Sequence, residues 1–279
     1  MLNYMKEVHP AWIDYPLREG KRLAAGRYCV ERFLGAGSYG LTYMCRELAT
    51  GQPVVIKQPK PSKGKLGIEL LLREADILKA LEHPAIPRWI ETFMHHKRPF
   101  LVMSHMQGET VEELLFEQHT VFSERQSLRL LRGVASIAGF IHNQGYVHLD
   151  LRPPNVIVQG ERLYLIDFGL AARIGEPARV EPNADEEAWR RRMAEPDSDL
   201  YALGHFLLFL LYSGYEAADE RRASILSNGG DVPGWEQELE MRPETRRILR
   251  KLLQLDAPYP GAAALLHDVE AAEARLAEG

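Results

Sequence analysis

The feature that most constrains the fold is a glycine-rich turn near the amino terminus. Residues 28–34 alternate between apolar and polar side chains, Gly35, Gly37 and Gly40 follow, and residues 41–48 alternate again. Two alternating runs joined by such a turn predict a β-hairpin. In a dinucleotide-binding fold the glycines open a helix directly, whereas a second strand follows here. The backbone of such a turn can approach a phosphate closely, although an isolated match is also typical of a flexible hairpin tip.

The next predicted strand, residues 53–57, ends in a lysine after three apolar residues. A lysine that emerges from a half-buried strand needs an anionic partner. The predicted helix of residues 65–81 offers Glu69 and Glu74. At about 100° per residue, Glu74 lies roughly 60° from the centre of the apolar face and Glu69 points roughly the opposite way. Glu74 is therefore the predicted partner of Lys57, and Glu69 is interpreted as an exposed charge.

Two short strings farther along contain the residue types of a phosphoryl-transfer site. The first, HLDLRPPN, runs from His148 to Asn155, and the second is the DFG that begins at Asp167. Asp150 can accept a hydroxyl proton, while Asn155 and Asp167 offer the carbonyl and carboxylate oxygens that magnesium prefers. A predicted hairpin of residues 156–166 brings the two strings together. His148 is interpreted as a hydrogen-bonded core residue, because Asp150 already offers the base.

A helix is predicted before the first string, from about Glu124 to Asn143. Ser123, with Gln126 three residues later, forms a capping box that begins this helix, and Gly145 ends it.

Length and composition exclude several classes of protein. A chain of 279 residues is long enough for two cores, and its net charge of −5 argues against nucleic-acid binding. The basic run Arg190–Arg192 is interpreted first as a solvated face. Two cysteines, Cys29 and Cys45, are too few for a disulfide framework and are predicted to be reduced. The first residues lack a secretory signal, and the apolar run Leu200–Tyr212 is too short to span a membrane. We therefore expect a cytoplasmic protein and a buried core helix.

The motifs together, in this order, make residues 26–275 resemble the eukaryotic-type protein kinase superfamily, in its bacterial Ser/Thr branch. The resemblance implies an α+β fold with two lobes and ATP between them. The N-lobe would be an antiparallel sheet with one helix, and the C-lobe would be mainly helical. The implied domains are an N-terminal extension of residues 1–25, an N-lobe of residues 26–106 and a C-lobe of residues 107–279.

The resemblance also implies catalytic roles. Lys57, oriented by Glu74, would hold the α- and β-phosphates of ATP. Asp150 would be the catalytic base, and Arg152 would keep a positive charge near the transferred phosphate. Asn155 and Asp167 would bind magnesium.

Further positions follow from the same resemblance. The residues implied to bind ATP are Leu34, Gly35, Gly37, Ser38, Gly40, Val55, Lys57, Met103, Ser104, Met106 and Ile157. Among them, Met103 would be the gatekeeper, and Ser104 and Met106 would hydrogen-bond the adenine through their backbones. The implied structural positions are His148, Phe168, Gly169 and Asp199. Leu78 and Trp89 would stack with His148 and Phe168 as a regulatory spine, and Asp199 would anchor the backbone of the catalytic loop.

The chain departs from the family after the catalytic centre. Leu149 replaces the arginine that usually precedes the catalytic aspartate and contacts a phosphorylated activation segment. From Asp167 through Asp197 there is no Ser, Thr or Tyr. Residues 194–196 read Ala-Glu-Pro in place of the family's A-P-E, and residues 255–260 lack the arginine that pairs with its glutamate. We therefore expect activity without activation-segment phosphorylation and a remodelled platform for peptide substrates.

The leading hypothesis is an ATP-dependent protein serine/threonine kinase that phosphorylates a protein of unknown identity. Two alternatives remain open on the sequence. A nucleotide-binding pseudokinase that serves as a scaffold would explain the altered segment after Asp167, but it would not need a base and two magnesium ligands. A small-molecule kinase that shares the HxDxxxxN loop would explain the altered peptide platform.

Overall fold

The computed structural model describes residues 14–177, 193–214 and 234–277, which form two compact units. The first unit comprises the described residues up to Gln107 together with Ile166–Ala171. The second unit comprises the described residues of Gly108–Leu165 and Ala172–Gly279. The predicted division was contiguous, whereas the segment that contains the DFG string groups with the first unit. The basic run of residues 190–192 and the first 13 residues of the N-terminal extension lie outside the described residues.

The first unit is built on a six-stranded antiparallel sheet. Its strands in chain order are β1 (Arg22–Leu23), β2 (Tyr28–Ala36), β3 (Gly40–Glu47), β4 (Pro53–Pro59), β5 (Trp89–His95) and β6 (Arg98–Ser104). In space they run β1-β2-β3-β4-β6-β5. The glycine-rich turn joins β2 to β3, which confirms the predicted hairpin.

The side chains of β4 alternate between the two faces of this sheet. Val54 and Ile56 belong to a buried apolar cluster with Tyr28, Tyr43 and Cys45. Both cysteines of the chain are free thiols, as the sequence predicts. Because successive side chains of a strand point to opposite faces, Val55 and Lys57 lie on the other face. That face is the one that carries the candidate site.

A single long helix, α1 (Gly64–Ala80), completes the first unit. It packs against β4, β6 and the short turn Phe168–Leu170. Its buried residues recur with helical period. The buried residues are Gly67, Leu70, Leu71, Glu74, Ala75, Ile77 and Leu78. One polar residue on this list, Glu74, is therefore brought into the interior by the same helical phase that buries the leucines.

The second unit is mainly helical. Its helices are α2 (Val111–Phe116), α3 (Glu124–Asn143), α4 (Pro196–Tyr212), α5 (Trp235–Glu238), α6 (Pro243–Leu252) and α7 (Ala262–Ala277). Helix α3 packs against α4 and α7, and Ser123 and Gln126 form the predicted capping box at its start. The predicted core helix is α4, in which Leu203, Phe206 and Leu207 are fully buried. Among the described residues, no helix has the length and apolar character needed to cross a membrane.

Short strands in the second unit position the catalytic strings. They are β7 (Glu109–Thr110), β8 (Tyr146–Val147), β9 (Val156–Gln159), β10 (Arg162–Leu165) and β11 (Ala172–Arg173). Strand β9 lies between β7 and β10, and β8 pairs with β11. Gly108 precedes β7 with a φ of +132°, and a Cβ there would lie 2.3 Å from the Val158 carbonyl oxygen. The close approach of β7 to β9 therefore requires glycine at this position.

Candidate active site

The first unit contains a buried cluster of three charged side chains. Lys57, at 9% exposure, lies near the end of β4, and its Nζ donates hydrogen bonds to both carboxylate oxygens of Glu74, at 2.7 and 3.0 Å. The same Nζ donates to Oδ1 of Asp167 at 2.7 Å. The contact with Glu74 was predicted from helical phase. The contact with Asp167 was not, because 110 residues separate the two partners.

The charge state of this cluster follows from its surroundings. Burial alone would lower the pKa of Lys57, but the negative charges of Asp167 and Glu74 outweigh that effect and raise it above its usual value. Lys57 is therefore a cation throughout the physiological range. Since Glu74 is almost fully buried and Asp167 is about one-third exposed, Asp167 is the carboxylate from which Lys57 can be approached by a ligand.

The DFG string adopts a turn that holds Asp167 against the lysine. Asp167 has left-handed backbone angles, φ 61° and ψ 77°, and its side chain accepts a hydrogen bond from the Gly169 N–H. Aspartate tolerates this region better than most residues. A Cβ at Gly169 would lie 3.1 Å from Oδ1 of Asp167 and 3.3 Å from Nζ of Lys57. The glycine therefore leaves room for the ion pair.

The glycine-rich turn lies over the same cluster. A Cβ on Gly40 would lie 3.0 Å from Cε of Lys57 and 3.2 Å from the Gln58 carbonyl oxygen. A Cβ on Gly37 would meet nothing closer than 3.9 Å, the distance to Oδ2 of Asp167. Close packing therefore favours glycine at position 40, because a Cβ would need these neighbours to shift. At position 37 the backbone lies near the charged cluster without crowding it.

The residues predicted to contact the adenine lie in both units. In the first unit, Val55 pairs with Met103 across β4 and β6, on the same face as Lys57. Leu34 lies where the register between β2 and β3 shifts and is 40% exposed. The backbone N–H of Ser104 donates to the Arg88 carbonyl at 2.9 Å, so any contact of Ser104 with a base would use its carbonyl oxygen.

The remaining residues that are predicted to bind ATP lie in both units. Ile157, in β9 of the second unit, is 8% exposed, and Met106 follows β6 in the first unit. Ser38 is exposed in the glycine-rich turn, between Gly35 in β2 and Gly40 in β3.

Three of the residues predicted to form a regulatory spine are buried. Leu78 and Phe168 are buried in the first unit, and His148 is buried in the second. Their stacking as a spine, with the half-buried Trp89, stays a prediction.

The catalytic string of the second unit forms a local hydrogen-bonded loop. The Asn155 amide nitrogen Nδ2 donates to Oδ2 of Asp150 at 2.8 Å and to the Asp150 backbone carbonyl at 2.9 Å. Arg152 contacts the other carboxylate oxygen of Asp150, with Nε 3.0 Å from Oδ1. Both oxygens of Asp150 are therefore held in place. Because Nδ2 of Asn155 makes these two bonds, its amide oxygen is the atom that can coordinate a cation.

Asp199 fixes the backbone of this loop from α4. It is fully buried, and its two carboxylate oxygens accept hydrogen bonds from the backbone N–H groups of His148 and Leu149, both at 2.8 Å. The His148 ring accepts the Asp150 N–H at 3.3 Å, which agrees with its interpretation as a structural residue. His142 also contacts Asp199, with Nε2 2.9 Å from Oδ2. Sequence reasoning missed His142, whose only signal was a polar side chain in the last turn of α3.

Leu149 occupies the position of the arginine that usually precedes the catalytic aspartate in the family. Its backbone has a φ of +62°, and its side chain packs against a buried apolar cluster of Val147, Ala172 and Ala194. The Gly175 N–H donates to the Ala194 carbonyl at 2.8 Å. The two ends of the segment that follows the DFG string are therefore fastened to β8 by apolar contacts and backbone hydrogen bonds. Residues 178–192 of this segment lie outside the described residues.

Comparison with known proteins identifies the family. Residues 28–259 match the protein kinase domain family. A probable serine/threonine-protein kinase of Bacillus subtilis, YbdM, is 34% identical over 261 residues, which cover 93% of this chain and 94% of the relative. CBL-interacting protein kinase 16 of Oryza sativa is 28% identical, over 85% of this chain and 54% of the relative. The chain thus spans about half the length of the plant relative. The chain belongs to the protein kinase family, in its bacterial serine/threonine branch.

Proposed function

We propose that this kinase transfers the γ-phosphoryl group of ATP to a protein hydroxyl with Asp150 as its catalytic base and Lys57 as its phosphate-binding cation. The observation that carries the assignment is the buried cluster of Lys57, Glu74 and Asp167. The cost of removing these charges from water offsets much of their mutual attraction, so the cluster contributes little net stability. Strongly perturbed charged groups of this kind favour a functional site. Glu74 fixes the lysine, and an incoming phosphate can replace Asp167 as its second anionic partner.

Asp150 is suited to accept the proton of the acceptor hydroxyl. Its carboxylate is oriented by Asn155 on one oxygen and by Arg152 on the other. In the proposed step the hydroxyl oxygen forms a bond to the γ-phosphorus, the bond to the ADP oxygen breaks, and the hydroxyl proton moves to Asp150. The guanidinium of Arg152 then lies beside the transferred charge, which keeps the role predicted from the sequence.

The donor set fits magnesium. Asn155 presents an amide oxygen and Asp167 a carboxylate, and both are hard oxygen ligands. A bound magnesium ion would neutralise charge on the phosphates as the phosphoryl group moves. Asn155 would hold it through Oδ1, because its amide nitrogen already donates to Asp150. Asp167 would hold it from the DFG turn.

The assignment is tested by phosphate transfer from γ-labelled ATP to a generic acceptor protein. We expect Asp150→Asn to lower kcat at least about 100-fold, since it removes the base and keeps the shape. The matched control is Asp76→Asn, which changes an aspartate on the exposed face of α1 and should leave kcat unchanged. Equal rates for Asp150→Asn and the wild type would refute the assigned base. Turnover of a small-molecule acceptor in preference to every protein acceptor would refute the substrate class.

A second part of the proposal concerns control. We infer that activity does not require phosphorylation of the activation segment. The support is the apolar packing of Leu149 against Ala172 and Ala194, which fastens the two ends of that segment without a phosphate. The segment also contains no hydroxyl side chain from Asp167 through Asp197. An arginine that senses a phosphate would have no partner here, and the leucine replaces it with a permanent contact.

Treatment of the purified kinase with a phosphatase tests this part directly. We expect no loss of activity, and a large loss traced to a phosphate within residues 167–197 would refute the inference. The contact itself is tested with Leu149→Asp, which places a charge in the apolar cluster and should lower kcat strongly. Leu149→Met keeps the volume and the apolar character and is the control, with an expected cost below about 1.5 kcal/mol. Equal activity of the two variants would show that the cluster does not matter.

A further inference from the structure

The start of helix α1 lacks a cap of its own. Lys63 occupies the position before the helix and provides no side-chain hydrogen bond to it, and the first turn contains no acidic residue. Instead, Lys63 and Lys65 place positive charge beside it. The first backbone N–H groups of a helix need acceptors, and this end of the helix dipole favours negative charge. The start of the helix that carries Glu74 is therefore not fixed by a side-chain cap of its own.

Asp14 binds the turn that leads into α1. Its Oδ1 accepts the backbone N–H of Ser62 at 2.9 Å, and its Oδ2 accepts the Ser62 hydroxyl. Ser62 lies in the short helical turn Pro61–Lys63 that runs directly into α1. Forty-eight residues separate the two partners. The carboxylate therefore holds the turn that precedes α1, and it comes from the segment before the first strand.

The segment that contains Asp14 is held against the sheet by hydrogen bonds and apolar packing. The Leu17 N–H donates to the hydroxyl of the fully buried Tyr43 at 3.2 Å, and Leu17 packs against the apolar cluster of the first unit. The Gly20 N–H donates to the Val30 carbonyl at 2.8 Å. Asp14 therefore connects a segment that is bound to the sheet with the turn before α1. This connection can restrain the position at which the helix begins.

We propose that Asp14 is a positioning residue for the Lys57–Glu74 ion pair. By holding Ser62, it fixes the start of α1 relative to the sheet and so holds Glu74 at hydrogen-bonding distance from Lys57. This inference rests on the proposed role of that pair in binding ATP phosphates. It assigns a function to the part of the N-terminal extension that the structure describes, namely maintenance of the catalytic geometry from outside the kinase motifs.

The experiment first compares kcat/KM for ATP in three single variants of this segment. Asp14→Ala should lower it about fivefold, the factor that corresponds to loss of a typical helix cap. The matched control is Glu19→Ala. Glu19 is an exposed acid of the same segment that makes no hydrogen bond or ion pair with any described residue, and its removal should change kcat/KM less than twofold. Asp14→Asn, which keeps an oxygen for the Ser62 N–H, should recover part of the loss.

Combination with Glu74→Gln separates positioning from general stability. If Asp14 acts through Glu74, then Asp14→Ala should have less than a twofold effect in the Glu74→Gln background, because the effects of residues that act through one another are not additive. A fivefold effect in both backgrounds, or equal effects of Asp14→Ala and Glu19→Ala, would overturn the proposal. If Glu74→Gln itself has no effect, the proposed role of the ion pair fails instead. Should Asp14→Ala not fold, Asp14→Asn in the two backgrounds gives the same comparison.

Discussion

Removal of the buried cation should make the stability of this kinase depend on pH more strongly than the stability of the wild type does. In the wild type the pKa of Lys57 is raised, so the contribution of this lysine is fully present below the unfolded value of about 10.4. The contribution of Lys57 is therefore constant from pH 5 to pH 8. In Lys57→Met, the cation that pairs with both Glu74, whose side chain is 2% exposed, and Asp167 is lost.

The magnitude follows from that burial. Breaking a buried ion pair by removing one partner costs about 3–5 kcal/mol, and we expect this loss at pH 8. Burial and the charge of Asp167 raise the pKa of Glu74, and Lys57 opposes them in the wild type. Without the lysine the pKa of Glu74 rises further, so Glu74 takes up a proton as the pH falls. The variant therefore regains stability as the pH falls through the raised pKa of Glu74, and its deficit relative to the wild type should be smaller at pH 5 than at pH 8.

Urea unfolding followed by tryptophan fluorescence at pH 5, 6, 7 and 8 measures this deficit. Lys79→Met is the matched control. Lys79 lies on the same helix, is 44% exposed and pairs with the exposed Asp76. Its loss should cost less than about 1 kcal/mol at every pH. A deficit of Lys57→Met that does not change between pH 5 and pH 8, or that equals the deficit of Lys79→Met, would refute the reasoning.

Two further predictions concern close packing and thiol chemistry in the first unit. Gly40→Ala should lower kinase activity and cost about 1–3 kcal/mol of unfolding free energy, because the added Cβ would crowd Lys57. Gly37→Ala should be tolerated, because its Cβ would lie 3.9 Å from the nearest atom. Activity assays and thermal melts of the two variants measure the difference. Burial raises the pKa of Cys45 to about 12, so iodoacetamide at pH 8 should modify Cys29 in the native protein and Cys45 only after unfolding, as read by peptide mass spectrometry.

The parts of the site that the sequence could predict are those fixed by local geometry. Helix α3 has the predicted bounds, Glu124–Asn143, because a capping box begins it and Gly145 follows its end. The choice of Glu74 over Glu69 as partner of Lys57 needed only the helical period. In both cases the deciding interactions lie within one element, or between one element and the strand beside it.

The parts that the sequence could not predict depend on contacts between distant segments. Asp167 reaches Lys57 across 110 residues, and Asp14 reaches Ser62 across 48. No periodicity or spacing links such partners, because their meeting depends on how the whole sheet and α1 are assembled. The lack of an acidic residue in the first turn of α1 indicates only that the start of this helix has no cap of its own, and it does not identify Asp14.

Leu149 shows why a departure from the family pattern need not impair the catalytic centre. The position serves the fold in two separate ways. Its backbone N–H is held by Asp199, and any residue that tolerates a φ of +62° can supply that bond. Its side chain packs against Ala172 and Ala194, at the two ends of the described activation segment. Under the proposed control, a change from arginine to leucine exchanges a phosphate-dependent contact for a permanent apolar one and leaves the backbone hydrogen bond to Asp199 in place. The proposed loss of phosphate control and the proposed catalytic role of Asp150 are therefore physically independent, and the altered segment does not by itself argue for a scaffold.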